Sequence, residues 1–216
     1  GKRMVVNCGY NDSHSENWRH ITRETAAHST LIIDDCSAGE IATNGTKYRA
    51  FGPVITRGVD ATQVNRKEQD GDIWIEASHE GYRAATGLIH RRRLYMVDGG
   101  YDVRGEDSLS VPMGAAPMFK GAQFPFTIRF HLHPDVRATL SRDGKSALII
   151  LPGGEGWRFR TDSGALKLER SIYLARANKP EPCEQIIIHG SALSDNNGDD
   201  KSNRVRWSFR RVPTEV

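Results

Sequence analysis

Phe124-Pro-Phe-Thr-Ile-Arg-Phe-His-Leu-His133 is the stretch that decides the fold. Phe124, Phe126, Ile128, Phe130 and Leu132 alternate with Thr127, Arg129, His131 and His133. Successive side chains of a strand point to opposite faces, so this segment turns one face to a core and leaves the other available. The same period sets Ile73, Ile75 and Ala77 against Trp74, Glu76 and Ser78, and Val205, Trp207 and Phe209 against Arg204, Arg206 and Ser208. Asp98-Gly-Gly100, Arg104-Gly-Glu106, Arg142-Asp-Gly144, Pro152-Gly-Gly154 and Asp162-Ser-Gly164 lie between the runs and favour tight reversals. Short alternating runs separated by such turns read as an antiparallel meander or Greek key. The expectation is an all-β chain, one large antiparallel β-sandwich over residues 1–216 with long polar loops and on the order of ten strands or more.

Helical periodicity is confined to a short segment near Trp18 to Thr25. Val111 to Met118 reads as a small-residue and proline loop, and Ser194 to Ser202 is polar enough to lack order. Both are expected as strand connections, because alternation resumes after each.

The 216 residues are 38% hydrophobic and 26% charged, an ordinary globular composition. Since no apolar run approaches the ~20 residues a bilayer requires, no membrane span is expected. Net charge is only +3, yet basic residues are grouped at Arg91 to Arg93, at Arg158 and Arg160, and at Arg204, Arg206, Arg210 and Arg211. Such groups either attract a polyanion or form a solvated strand face beside carboxylates. No nucleic-acid motif accompanies them, so nucleic acid is not an expected partner. Rossmann, P-loop and nucleophile-elbow signatures are missing. The odd number of cysteines, Cys8, Cys36 and Cys183, argues against a disulfide framework; each is expected as a small buried apolar residue. The opening Gly1-Lys-Arg-Met-Val-Val-Asn7 reads as strand interior without a signal-peptide stretch, and the expectation is a chain that starts partway through a larger protein.

Several side chains are candidates for chemistry. His28 opens the apolar run of Thr25-Ala-Ala-His-Ser-Thr-Leu-Ile-Ile-Asp-Asp35; taken alone it reads as a hydrogen-bonded structural histidine. His79, Tyr82, His90 and Arg92 are brought together by the Glu80-Gly81 turn and the basic strand after it. They suit an acidic sugar, with guanidinium for a carboxylate or sulfate and an aromatic face for the ring. The equal alternative is that His79 and Tyr82 pack a hairpin, with Tyr82 hydrogen-bonded in a sheet corner. His131 and His133 share one strand face, read as a polar face beside Arg129 because a third metal ligand is missing nearby. Trp207 groups with the core, whereas Trp74 shares its face with Glu76 and Ser78 and is the better stacking platform.

Val5-Val-Asn-Cys-Gly9, the His28 run, Glu76-Ala-Ser-His-Glu-Gly-Tyr82, Gly87-Leu-Ile-His-Arg-Arg-Arg-Leu94, Arg129-Phe-His-Leu-His-Pro134 and Trp207-Ser-Phe-Arg-Arg-Val212 occur in an order that resembles the C-terminal β-sandwich of heparinase II/III-like polysaccharide lyases. The resemblance implies an N-terminal helical toroid in the same protein as partner and an acidic, uronic-acid polysaccharide as substrate. The implied chemistry is β-elimination, in which the uronate carboxylate is neutralised, a tyrosine or histidine removes the C5 proton and a donor assists the C4 oxygen. The family's toroid residues and upstream histidine map to no position here, so no catalytic residue is assigned and the fragment alone is expected to be inactive. His28 would join that upstream histidine and an aspartate around zinc. The aspartate's place falls on Asn7, whose amide lacks the carboxylate charge, so no cofactor is expected in this fragment and zinc is left to the intact protein. The periplasm or cell envelope is the compartment the resemblance implies. The alternatives are a non-catalytic carbohydrate-binding or structural sandwich and, more remotely, an oligomerisation platform.

Overall fold

Strand β9 (Gln123–Leu132) lies within the smaller sheet of a sandwich, and the parity read from its sequence holds on the inward face. Phe126, Ile128, Phe130 and Leu132 are all at most 3% exposed. The computed structural model describes residues 2–11, 15–59, 62–176, 179–196 and 202–213.

The other strands, in chain order, are β1 (Val5–Val6), β2 (Leu31–Ile33), β3 (Glu40–Ile41), β4 (Ile55–Arg57), β5 (Gln63–Gln69), β6 (Asp72–His79) and β7 (Ile89–Met96). They continue with β8 (Asp102–Ser110), β10 (Arg137–Leu140), β11 (Ser146–Ile150), β12 (Gly156–Thr161), β13 (Lys167–Tyr173), β14 (Glu181–Leu193) and β15 (Arg204–Arg211). The small sheet runs β1-β9-β14-β13, and β2 pairs with the same edge of β9 that β1 uses further along. The large sheet runs β10-β11-β12-β15-β8-β7-β6-β5, and β3 with β4 forms a separate two-stranded ladder. Every pairing is antiparallel. The fold is therefore the expected all-β antiparallel sandwich.

An aromatic knot holds the sheets together. The Phe130 ring from the small sheet lies 4.7 Å from Trp207, 5.1 Å from Phe159 and 5.4 Å from Phe209, all from the large sheet. These are tilted or edge-to-face contacts, which suit the ring quadrupoles and add to the burial of large apolar area. Two glycines make room for core aromatic rings. Trp207 pairs across strands with Gly105, where an added Cβ would sit 2.1 Å from the indole, and Phe126 pairs with Gly190, where it would sit 2.2 Å from the ring. Arg104-Gly-Glu106 is thus not the turn its composition suggested. Gly105 lies inside β8 because an aromatic ring needs the space a side chain would fill.

Other expectations are corrected as well. The polar face of β9 is not open: Thr127 is 9%, His131 3% and His133 8% exposed. The segment carrying α1 (Glu16–Ile21) and a 3-10 turn (Thr25–Ala27) folds over part of this face, and Ala26 receives a hydrogen bond from His131. The expected helix near Trp18 is present, but α2 (Gly45–Phe51) and α3 (Arg83–Thr86) add to it. Cys8 is buried as expected, whereas Cys36 is exposed, next to the Asp34-Asp35 turn whose two residues have φ of 51° and 52°. The Val111–Met118 connection lacks helix and strand. In the 194–202 connection, residues 197–201 lie outside the described residues. Among the described residues no helix is long and apolar enough to cross a membrane.

Candidate functional site

Four sequence candidates, His79, Tyr82, His90 and Arg92, do converge, and they do so around a residue not singled out in the sequence, Asp107. Strands β6, β7 and β8 are neighbours, with His79 opposite His90 and Arg92 opposite Asp107. His90, Arg92 and Asp107 share the inward parity of Leu94, Gly105 and Leu109 on the same strands, so these polar groups enter the space between the sheets.

The hydrogen bonds there can be followed proton by proton. Gly81 donates its N–H to His79 Nδ1 at 3.2 Å, so a neutral His79 holds its proton on Nε2 and donates it to His90 Nδ1 at 3.1 Å. His90 then carries its own proton on Nε2 and donates to Asp107 Oδ1 at 2.7 Å. Arg92 reaches the same carboxylate in a fork, Nε to Oδ1 at 2.8 Å and Nη2 to Oδ2 at 3.0 Å. Trp207 Nε1 completes it, donating to Oδ2 at 2.8 Å. Each carboxylate oxygen thus accepts two hydrogen bonds in a position 1% exposed.

Burial alone would push the Asp107 carboxyl up; the adjacent Arg92 charge and the His90 hydrogen bond outweigh it and hold the group well below the usual carboxylate range. For His79, burial first and the neighbouring His90 second push the imidazole down to about 4, which agrees with the neutral tautomer. Tyr82 is 2% exposed and donates its hydroxyl to the Leu31 carbonyl at 3.0 Å. Burial pushes its phenol far above the ordinary value. His79 also packs against Tyr82 with ring centroids 5.6 Å apart. The polar atoms of all four residues are therefore engaged with protein, and the arrangement cross-links two sheets.

Ser29 joins this network to the second candidate group. Its carbonyl accepts Arg92 Nη1 at 2.6 Å, its N–H donates to Asn7 Oδ1 at 2.9 Å, and its hydroxyl donates to the Val6 carbonyl at 2.6 Å while accepting the His131 N–H at 2.9 Å. Asn7 and His28 consequently lie at the same strand edge, a proximity also fixed by Cys8 N–H donating to Ala27 O at 2.9 Å. His28 donates Nδ1–H to the Glu24 carbonyl at 2.9 Å, leaving Nε2 as its only ligating nitrogen. Asn7 Oδ1 is already an acceptor, and among the described residues no group of three or more His, Cys, Asp or Glu could hold a metal ion. This donor set does not fit zinc, which takes four ligands with thiolate, imidazole or carboxylate donors. His131 is another engaged imidazole, with Nε2 donating to Ala26 O at 3.0 Å and Nδ1 accepting from Ser171 Oγ at 2.7 Å. Burial pushes it down to about 4.

Comparison with known proteins agrees with the sandwich and its order of motifs. The sequence profile of the family described as heparinase II/III-like, C-terminal, matches residues 1–208. The chain belongs to this family. FtsZ-localized protein C of Caulobacter vibrioides is 36% identical over 215 residues, a match covering 97% of this chain and 35% of that protein. A heparan sulfate lyase HepC from Pedobacter heparinus superposes with a TM-score of 0.68 at 14% identity, over 99% of this chain and 29% of the lyase. A heparinase III superposes with the same TM-score of 0.68 at 13% identity, over 98% of this chain and 28% of that enzyme. At these identities the structural likeness speaks to the fold. The chain spans about a third of the length of its relatives.

Asp107 did leave a signal. It occupies the inward parity of a strand whose other inward positions, Val103, Gly105 and Leu109, are apolar, beside the basic run His90 to Arg93, where a buried carboxylate would need a cationic partner. Ser29 left none, because its role depends on backbone groups that the fold alone brings together.

Proposed function

We infer that this domain is the sandwich part of a heparinase II/III-like protein that acts on uronic-acid polysaccharide by β-elimination, with proton transfer supplied by polypeptide outside residues 1–216. The observation that carries this reading is the family match over nearly the entire chain. Likeness in fold to a heparan sulfate lyase and a heparinase III supports it. The engaged state of His79, His90 and His131 supports the division of labour: a general acid or base must hold its proton within reach of the sugar, and these imidazoles hold theirs toward protein partners.

A second reading draws on the Caulobacter relative, named for localising with FtsZ. A sandwich of this kind would serve there as a non-catalytic binding or structural module. One experiment separates the two. The longer protein and the isolated chain are incubated with heparin, heparan sulfate and alginate, and the ultraviolet absorbance of unsaturated uronate is followed. The lyase reading expects product from the longer protein and none from the chain alone. Absence of product from both favours the binding module, and product from the chain alone contradicts the division of labour.

A further inference from the structure

The outer face of the large sheet carries a second polar arrangement, built on different terms. Register places Lys67 of β5 opposite Trp74 of β6, Trp74 opposite Tyr95 of β7, Tyr95 opposite Arg104 of β8, Arg104 opposite Ser208 of β15, and Ser208 opposite Arg160 of β12. These six side chains form one straight row across six strands, about 24 Å long at about 4.8 Å per strand spacing. Two aromatic rings lie within it, cations stand at both ends, and it holds no carboxylate. Trp74 is 38% exposed and its ring centroid is 5.0 Å from that of Tyr95. Lys67 Nζ lies 5.8 Å from the Trp74 ring and the Arg104 guanidinium 5.7 Å from the Tyr95 ring.

The next row shows what is unusual here. Glu76, Arg93, Glu106 and Arg206 are successive cross-strand partners, alternate in sign and pair with one another. That row neutralises itself. In the aromatic row Arg104 pairs with Asp102, and the Tyr95 hydroxyl donates to Asp72 at 2.6 Å. Lys67 and Arg160 enter no ion pair among the described residues, and Arg158 beside Arg160 enters none either. Trp74, Tyr95, Arg104 and Arg160 line an open hollow of about 530 Å³ whose wall also includes the Glu106 and Asp162 carboxylates.

We propose that this row is a binding platform for an acidic polysaccharide, with sugar rings lying on Trp74 and Tyr95 and the carboxylates or sulfates reaching Lys67 and Arg160. The chemistry matches in three respects. The exposed Trp74 ring, continued by the half-buried Tyr95, accepts the apolar faces of pyranose rings, and the end cations, without an ion pair among the described residues, attract anionic groups. A row crossing the strands is long enough for several consecutive rings, so a chain fits better than a single sugar. The proposal rests on the polysaccharide reading above and adds a site that is separate from the His79–Asp107 network, on the opposite face of the sheet.

The test is calorimetric titration of the chain with a heparin-derived hexasaccharide and with neutral maltohexaose. The wild type is expected to bind the hexasaccharide and not maltohexaose. Trp74→Ala should weaken binding about tenfold, the equivalent of about 1.4 kcal/mol, and Lys67→Glu and Arg160→Glu should each weaken it with unchanged circular dichroism. Wild-type affinity in Trp74→Ala, or in both charge reversals, overturns the platform while leaving the polysaccharide reading to the cleavage assay. So does failure of the wild type to bind at all, because the longer protein can still cleave through another surface. Binding by the chain that disappears in the longer protein would mean that adjoining polypeptide covers the row, which also overturns it.

Discussion

The two faces of the large sheet carry similar residue types with opposite bookkeeping. On the inner face His79, His90, Arg92, Asp107 and Trp207 satisfy one another, each oxygen of the carboxylate accepting two hydrogen bonds. On the outer face Lys67, Trp74 and Arg160 leave charge and ring surface toward solvent. The lesson is that polar residues on a strand announce function only when their partners are missing. A conspicuous cluster of histidine and arginine can be a cross-link, and a plain row of lysine, tryptophan, tyrosine and arginine can be the surface that meets a ligand.

The comparison breaks first at Asp107. Asp107→Ala leaves the partly buried Arg92 charge and the buried Trp207 and His90 N–H groups without their acceptor, and unfolding in urea should show a loss of about 3–5 kcal/mol. A loss below about 1 kcal/mol, the range of exposed pairs, would mean that the inner network is not closed. Gly105→Ala comes next. An added Cβ would sit 2.1 Å from the Trp207 ring, so the indole that donates to Asp107 must shift. The expected cost is about 1–3 kcal/mol, and an unchanged urea midpoint would show that the knot has slack.

Acid sharpens the contrast without mutation. His79 and His131 are neutral in the folded chain down to about 4, whereas the unfolded chain takes up protons at both from the ordinary value of 6.5. The unfolded state binds more protons between these values, so stability should fall as pH drops from 6.5 toward 4. Asp107 adds to the loss chiefly at and below the acid end of that window, where the unfolded carboxyl, ordinarily at 3.8, takes up protons that the folded one does not. Urea midpoints across this range should decline for the wild type and decline less for His79→Asn; parallel declines would remove His79 from the account. The smallest effect is expected on the outer ladder. Arg93 is 49% exposed and shared between Glu76 and Glu106, so Arg93→Ala should cost below about 1 kcal/mol.

The sandwich was legible because burial imposes a period of two, and β9 and β15 keep it without interruption. Gly105 was misread because composition cannot tell a glycine that turns the chain from one that makes room for an indole across the sheet. The exposed side of β9 was misread for a related reason: alternation reports what lies under a strand and says nothing of a segment such as Glu16 to Ala27 folding over it. His79, Tyr82, His90 and Arg92 were found together because two neighbouring strands and the connection between them carry them. Their partner Asp107 belongs to a third strand, and only the sheet order brings it in. Asn7 and His28 were read as neighbours from a family resemblance, and the backbone around Ser29 is what holds them at one edge.

Titrating the heparin-derived hexasaccharide into Trp74→Ala and into His79→Asn, side by side, tests the division between the two faces most directly. His79→Asn keeps an acceptor for the Gly81 N–H and should bind as the wild type does, whereas Trp74→Ala should bind about tenfold more weakly. The reverse pattern, with binding lost at His79 and kept at Trp74, would place the sugar on the inner network and contradict the assignment of the outer row.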